Sequence, residues 1–321
     1  MADPFFLVQW FADWVTYSIL NLVKDSSLAN AINFFVYDSI KVTLLLLVIV
    51  FVVGVVRTFI TAGRIKKLIG KKKEGVGNVL AALLGIPTPF CSCSAVPLFI
   101  GFIESGIPLG ITFSFLIASP LINEVAATML FAMFGWEIAA LYIVSGLIVA
   151  IVGGIVIGRL GLEKEVESFV YKMHAKKKRE QKMTWSERIG FGFEESKRIT
   201  LKVLPYLLVG IAIGGIIHGY APSDLLVQIA GPNNPFAVPI AVLIGVPLYS
   251  NAAGMVPIVG VLIDKGLPIG TALAFMMAVI GLSLPEMIIL RKVLKPKLLA
   301  IFALILFLSF TLTGIIFNLI I

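Results

Sequence analysis

The sequence predicts a polytopic, all-α membrane protein built from two inverted-topology repeats with broken or re-entrant helices, with about 8–11 membrane segments in all. Three observations support this fold class: the hydropathy, a repeat in the positions of Gly and Pro, and the placement of Lys and Arg. Hydrophobic residues make up 59% of the 321 residues and charged residues only 14%. Several apolar runs reach the roughly 20 residues that a membrane-spanning helix needs. Because the net charge of +8 lies in loops beside these runs, it indicates orientation in a bilayer rather than nucleic-acid binding.

A shift of 160 residues brings Gly and Pro residues of the two halves into register. Because these residues fix where helices turn and break, matching positions predict matching breaks. The predicted units are residues 35–160 and 201–321. The matches are Gly85-Ile86-Pro87 with Gly245-Val246-Pro247, Pro97 with Pro257, and Gly106-Ile107-Pro108 with Gly266-Leu267-Pro268.

The basic residues predict that the two units have opposite orientations. In the first unit, seven Lys and Arg lie at 57–73, before the apolar core, and none lies at 131–158. In the second unit none lies at 217–236, and four lie at 291–297, after the core. Since basic loops stay on the cytoplasmic side, the two cores are predicted to cross the membrane in opposite directions, with the linker 161–200 in the cytoplasm.

The lengths of the segments leave some of the topology open. Residues 1–34 are predicted to form an N-terminal helix that either spans the membrane or lies in its interface, and no cleaved signal peptide is expected. Each apolar core, at 77–134 and 236–290, fits three full crossings or one crossing plus a re-entrant hairpin. The basic linker is expected to be a solvated connector with amphipathic helical spacing.

The segment from Pro87 to Pro97 holds both cysteines of the chain, Cys91 and Cys93, within a long apolar region. Its prolines remove backbone donors, so we predict a helix break that lines a site, and a kinked packing helix is the alternative. Thiolates suit soft metals and metalloids, so the two cysteines are predicted to hold a soft metalloid. On a regular helix their side chains would point about 200° apart and would not converge.

Two acids lie inside the apolar cores at nearly matching places, Glu124 and Glu286. An ionisable residue within a span is a functional hypothesis by default. We predict that both couple to protons or support the helix breaks. The alternative for Glu286 is a position at the membrane surface, because Arg291 follows closely.

The counterpart of the cysteine segment supplies hydroxyl and amide groups from Tyr249, Ser250 and Asn251. Asn251 and Ala253 stand at the positions that match Cys91 and Cys93, so the thiols belong to one half only. The predicted substrate-binding residues are Cys91, Ser92, Cys93, Ser94, Asn123, Tyr249, Ser250 and Asn251.

Enzyme signatures are weak. The two histidines, His174 and His218, are too few and too far apart for a zinc site, and no phosphate-binding Walker sequence occurs. Two cysteines separated by one residue are not a disulfide framework. We therefore expect neither catalysis nor a cofactor.

Four motifs occur together: Thr88-Pro-Phe-Cys-Ser-Cys-Ser94 with Pro97, Ala118-Ser-Pro-Leu-Ile-Asn-Glu124, Gly245-Val-Pro-Leu-Tyr-Ser-Asn251 and Leu282-Ser-Leu-Pro-Glu286. They resemble the predicted-permease family that includes the ArsP organoarsenical efflux permeases. The resemblance covers the chain from about residue 35 to 300. It implies a permease in the cytoplasmic membrane of a prokaryote and leaves the substrate open.

The sequence thus predicts a permease that moves a small soft or thiol-reactive solute, such as a trivalent organoarsenical, by alternating access at the repeat interface. One alternative is a membrane redox protein that cycles Cys91 and Cys93 with a small partner. The other is a carrier for a small anion or sulfur oxyanion, bound at half-helix N-termini. The expected partners are the lipid bilayer and the solute; a homo-oligomer is left open.

Overall fold

The computed structural model describes residues 5–24, 26–57, 74–86, 92–167, 184–220, 230–231, 234–248 and 252–321. Across these residues the structure is helical without a strand, and one isolated bridge joins Val166 to Leu294. Three stretches of them are long and apolar enough to cross a membrane, at Ala126–Arg159, Ile269–Leu290 and Pro296–Ile320. The prediction of an all-α membrane protein is confirmed.

The helices follow one another with short connections. A π-helical turn, Trp14–Ile19, extends the first helix. In the sixth helix the backbone breaks at Gly135, with φ 85° and ψ 176°, so residues 124–134 and 136–159 form two stretches. The helices are α1 Phe6–Asp13, α2 Ser27–Arg57, α3 Val76–Gly85, α4 Ser92–Glu104, α5 Leu109–Leu121, α6 Glu124–Arg159, α7 Trp185–Tyr220, α8 Ala237–Gly245, α9 Ala252–Asp264, α10 Ile269–Gly281, α11 Leu284–Leu290 and α12 Pro296–Ile320.

Helices α4 and α9 end in the same backbone turn. The Gly106 N–H donates to the Ile103 carbonyl at 2.9 Å, and the Gly266 N–H donates to the Ile263 carbonyl at 2.9 Å. The two glycines have φ values of 74° and 95°, which a residue with a Cβ rarely adopts. Each turn folds its helix back, so α4–α5 and α9–α10 are antiparallel helical hairpins.

The helix bounds repeat at the sequence offset of 160 residues. Helices α4 and α9 begin and end at matching positions, and so do α5 and α10. The break at Gly135 matches Lys295, which has an extended backbone and immediately precedes α12. These coincidences support a duplicated unit, whereas the orientation of the two copies in a membrane stays a prediction.

Glycines bring the second helix of each hairpin close to the long helix that follows it. A Cβ on Gly110 would lie 2.5 Å from the Gly154 carbonyl oxygen and 2.8 Å from Gly158 Cα. In the second half, a Cβ on Gly270 would collide with the Gly314 carbonyl oxygen. Small residues allow such close approach between membrane helices. The start of α5 is therefore fixed beside the end of α6, and the start of α10 beside the end of α12.

Helices α2 and α7, which also match at the offset, pack against each other in antiparallel directions. The Ser196 hydroxyl donates to the Leu47 carbonyl at 2.7 Å. One turn earlier in α7, a Cβ on Gly192 would lie 3.0 Å from the Phe51 carbonyl oxygen and 2.6 Å from Val55 Cγ2. A step back along α7 is thus a step forward along α2.

Polar contacts gather three parts of the chain at the end of α6. Arg159 Nε donates to Glu74 Oε1 at 3.2 Å, next to the start of α3. Residues 163–167, which we call the strap, then pair with residues 291–295 through two backbone hydrogen bonds of 2.8 Å. The end of α6 and the starts of α3 and α12 therefore share one end of the molecule, which we call the Arg159 end.

The long helices carry apolar side chains on their outer faces. In α12, Leu304, Leu308 and Leu312 are exposed at every fourth position, while Phe302 and Phe310 are buried. A continuous apolar stripe of this kind suits contact with lipid rather than with water.

The N-terminal segment folds against the start of α2. Asn33 Nδ2 donates to Asp13 Oδ1 at 2.8 Å, and Gln9 Nε2 donates to Asn33 Oδ1 at 3.0 Å. With eight residues in α1 and six in the π-helical turn, the helical segment is about 21 Å long, less than the roughly 30 Å of a membrane core.

Helix α7 begins inside the predicted linker 161–200 and continues without interruption through the predicted start of the second unit at 201. Its N-terminus is capped by Thr184, whose N–H donates to Glu187 Oε2 at 2.7 Å. The hydrogen bonds from Thr184 hold the pKa of the Glu187 carboxyl below its ordinary value.

Candidate functional site

Helices α3 and α4 approach the end of α5 from opposite directions in the chain. Helix α3 runs parallel to α5, because Asn78 lies beside Gly110 while Gly85 lies beside Phe115 and Ala118. Helix α4 returns antiparallel to α5, and both have 13 residues. The end of α3 and the start of α4 therefore lie at the level of the end of α5.

At that level the side chain of Asn123 bridges the break between α5 and α6. Its Oδ1 accepts a hydrogen bond from the Ala126 N–H at 2.7 Å, as an N-cap does. Its Nδ2 donates to the Pro120 carbonyl at 3.2 Å. The break is thus stabilised from both sides by one residue, and contact of Asn123 with a substrate stays a prediction.

The second half has an equivalent break between α10 and α11. The Leu284 N–H, at the start of α11, donates to the Val246 carbonyl just after α8, at 2.8 Å. Glu286 lies in the first turn of α11 and is only 3% exposed. A carboxylate there is favoured by the positive end of the helix dipole.

The two breaks lie next to each other. A Cβ on Gly281, the last residue of α10, would lie 3.6 Å from Cδ1 of Leu121, the last residue of α5. Around this point α4 packs on α11, and α9 packs on α6. In the second of these contacts, a Cβ on Gly260 would lie 2.8 Å from Met133 Cε. Each half therefore contributes a helix break to one shared region.

The predicted site residues fall into two groups. Cys91, Tyr249, Ser250 and Asn251 lie outside the described residues. The backbone is described for Ser92, Cys93 and Ser94, which form the first turn of α4, and for Glu124, which begins α6. Because the start of α4 lies level with the end of α5, this second group is gathered around the first helix break.

Two buried polar residues were not among the predicted site residues. Asn78 Nδ2 donates to the Gly110 carbonyl at 3.1 Å and to the Ser114 hydroxyl at 2.9 Å, which fixes α3 to α5. Tyr142 is completely buried in α6, and its hydroxyl has no hydrogen-bond partner among the described residues. A polar group inside an apolar run was the available signal for both.

Across the part of the chain that the structure describes, no three His, Cys, Asp or Glu side chains come together to hold a metal ion. Because Cys91 lies outside that part, the two-thiol site for a soft metalloid stays a prediction. What the arrangement offers is a pair of adjacent helix breaks, each followed at once by a helix with an acidic residue in its first turn.

Comparisons with known proteins agree on the class. A family model described as a predicted permease, ArsP_1, matches residues 27–319. The chain is 26% identical to the UPF0718 protein MJ0584 of Methanocaldococcus jannaschii, over 80% of this chain and 89% of that protein. It is 21% identical to a Streptococcus mutans protein named as a subunit of a two-component membrane permease complex, over 76% and 80%. It is 22% identical to the UPF0718 protein YraQ of Escherichia coli, over 69% and 62%. No solved structure matches the chain.

Proposed function

Because the chain belongs to the predicted permease family, we propose that it moves a small soft or thiol-reactive solute across a membrane by alternating access between its two halves. The observation that carries this proposal is the meeting of the two helix breaks at Leu121 and Gly281. Broken helices in a membrane are tolerated where protein or a cavity shields them, and they are where permeases hold substrate.

The directions of the helices support an inverted arrangement of the halves. Helix α5 begins at the Arg159 end, since Gly110 lies against the end of α6. Helix α12 also begins at that end, and its 25 residues extend about 37 Å, so α10 begins at the far end, where Gly270 meets Gly314. The two hairpins thus enter from opposite ends. The antiparallel packing of the matching helices α2 and α7 supports the same arrangement.

The lengths of the helices support re-entrant hairpins. Helix α3 has 10 residues and α4 has 13, about 15 and 20 Å, and neither spans a membrane core of roughly 30 Å. The stretch Ile269–Leu290, which contains α10, the break and α11, is long enough to cross. Each half then makes a re-entrant hairpin followed by one broken crossing and one long return helix.

The distribution of charge supports a cytoplasmic location for the Arg159 end. The basic residues at 57–73, the linker 161–200 and residues 291–297 lie in, or directly beside, the segments that converge there. Basic loops stay on the cytoplasmic side of the bacterial or archaeal membrane.

The solute proposed is one that bonds to sulfur. Cys93 lies in the first turn of α4, beside the break after Leu121, and Cys91 precedes that helix by one residue. A trivalent organoarsenical bonds to thiolates and releases their protons. Its affinity for the pair of thiols would exceed its affinity for one.

Glu124 and Glu286 are proposed to couple transport to protons or to stabilise the helix starts that form the breaks. The support is position: one begins α6 and the other, 3% exposed, lies in the first turn of α11. A carboxyl group buried in a membrane protein is costly to maintain unless it has a function.

The experiment is transport in vesicles that contain the purified protein, with phenylarsine oxide and thiosulfate as probes, with and without a pH gradient. Protein-free vesicles correct for passive entry of the arsenical. Protein-dependent movement of phenylarsine oxide is expected. Movement of thiosulfate alone would indicate an anion carrier. A reversible disulfide without movement of either probe would indicate a redox protein.

The structure favours the solute over the anion. An anion carrier would use the positive helix starts at the two breaks. Both starts carry an acid in the first turn, and the start of α6 is capped by the Asn123 side chain. These groups compete with an external anion for the same helix ends.

A partner subunit is part of the proposal on the strength of one relative. The Streptococcus mutans protein is named as one subunit of a two-component complex. Purification of the tagged chain from its native membrane, followed by mass spectrometry, checks whether a second subunit or a second copy accompanies it.

A further inference from the structure

Tyr142 is a completely buried side chain whose hydroxyl has no hydrogen-bond partner among the described residues. A buried hydroxyl that leaves water without gaining a partner lowers the stability of the folded state. Phenylalanine would fill the same space without that loss. The hydroxyl therefore calls for a role outside the packing of this state.

The matching position in the second half shows that the ring alone meets the packing need. Phe302, 160 residues after Tyr142, is also buried, at 1% exposed. Its ring lies 5.4 Å from the ring of Phe113 in α5, tilted by 44°. The hydroxyl is thus specific to the half that carries both cysteines.

Tyr142 lies beside the first helix break. One turn further along α6, a Cβ on Gly146 would lie 3.0 Å from Ile122 Cγ1 and 3.3 Å from Leu121 Cδ2. Residues 136–159 run antiparallel to α5, so Tyr142 is level with the first turn of α6. The contact of Phe302 with α5 crosses between the halves, so the matching position of Tyr142 faces α10, across the same interface.

We propose that the Tyr142 hydroxyl is a positioning group of the transport cycle, which donates to a carbonyl at the end of α10 in a second state of the protein. The last carbonyls of a helix lack partners within it, and α10 ends at Gly281, beside the break. Glycine contacts fix residues 136–159 to α5, so Tyr142 moves with that body when the halves shift. The proposal rests on the proposed alternating access.

A hydrogen bond made in one state only shifts the balance between two states. Tyr142→Phe should therefore keep or raise the melting temperature while it changes which state is populated. The native thiols report on that population, because Cys91 and Cys93 are the only cysteines in the chain. Their rate of reaction with an impermeant maleimide, measured from each side of oriented vesicles, gives a ratio of access to the site.

The expected result for Tyr142→Phe is a change of roughly fivefold in that ratio, the scale of one net hydrogen bond, with a comparable loss of protein-dependent arsenical transport. Thr200→Val is the matched control, since Thr200 is 4% exposed and its hydroxyl also has no partner among the described residues. It should leave both the ratio and transport unchanged.

An unchanged labelling ratio and unchanged transport in Tyr142→Phe would overturn the inference, and so would equal effects from Thr200→Val. The labelling ratio does not depend on the substrate. If the ratio changes although no arsenical moves in the unaltered protein, the proposed solute is wrong while the role of Tyr142 stands.

Discussion

Leu121 and Gly281 occupy matching positions 160 residues apart, each ends its helix, and they lie against each other. A Cβ on Gly281 would be 3.6 Å from Leu121 Cδ1. In an assembly of two related halves, matching residues come into contact only near the axis that relates them. The helix breaks that follow these residues therefore flank that axis, which is where a single site can be shared by both halves.

The glycine contacts between α5 and α6 predict a sharp dependence of stability on one methyl group. Gly154→Ala should lower the melting temperature, because its Cβ would collide with the Ser114 hydroxyl and lie 2.5 Å from the Gly110 carbonyl oxygen. Overpacking of this kind costs about 1–3 kcal/mol. Differential scanning fluorimetry in detergent measures the change.

The control is Gly190→Ala in α7, where an added Cβ meets nothing within 4 Å. Alanine is the better helix former by about 0.5–1 kcal/mol, so this variant should be as stable as the parent or more so. Equal stability losses at the two positions would show that the close approach at Gly154 is absent.

The orientation of the halves predicts which loops can be labelled from outside the cell. In a background of Cys91→Ser and Cys93→Ser, the single changes Glu137→Cys and Ser223→Cys should react with an impermeant maleimide on intact cells. Lys177→Cys should react only after permeabilisation. Reaction of the Glu137 and Lys177 positions from the same side would contradict inverted halves.

The strap predicts a disulfide between two parts of the chain that are distant in sequence. Val166 and Leu294 form an antiparallel bridge, flanked by hydrogen bonds from the backbone of Glu167 and Lys295. Such a pair has Cα atoms about 4.5 Å apart, within the range that a disulfide spans. Val166→Cys with Leu294→Cys, in the background without native cysteines, should therefore cross-link on mild oxidation.

Replacement of the second cysteine position by Lys297→Cys, three residues away, provides the control and should cross-link poorly. The ion pair between Arg291 and Glu167, at 3.2 Å, is part of the same contact but is partly exposed, with side chains 49% and 32% accessible. Such a pair contributes at most about 1 kcal/mol, so Arg291→Gln alone should leave the cross-link intact. Similar yields for the Leu294 and Lys297 positions would show that the strap does not dock as described.

The buried acid of the second half predicts a loss of coupling without a loss of fold. Glu286→Gln keeps the size of the side chain and removes its ionisation, so the protein should insert normally while a pH gradient no longer drives transport. Asp264→Asn is the control, because Asp264 is exposed at the end of α9 and should not matter. A response of Glu286→Gln to the gradient that equals the parent's would limit Glu286 to a structural role.

The sequence could predict the features that a few adjacent residues determine. The turns at Gly106 and Gly266 follow from the need for positive φ, and the apolar runs indicate the membrane class directly. The bounds of α7 were less accessible, because its charged start at Trp185 resembles a solvated linker until its cap at Thr184 is seen.

Contacts between distant segments could not be read from the sequence. The pairing of the strap with residues 291–295 depends on backbone groups that every residue carries. The role of Asn123 as a bridge across the break, and the isolation of the Tyr142 hydroxyl, depend on neighbours set by the packing of whole helices. Local patterns specify where a helix breaks, and tertiary packing decides what surrounds the break.

The most direct test of the proposed permease is transport of phenylarsine oxide by vesicles containing the parent protein or the variants Cys91→Ser, Cys93→Ser and their combination. Serine changes the volume only slightly, so equal amounts of folded protein are expected. If the two thiols bind the solute together, each single change should reduce protein-dependent transport strongly, and the double change should add little. Transport by the double variant at the parent's rate would contradict the account.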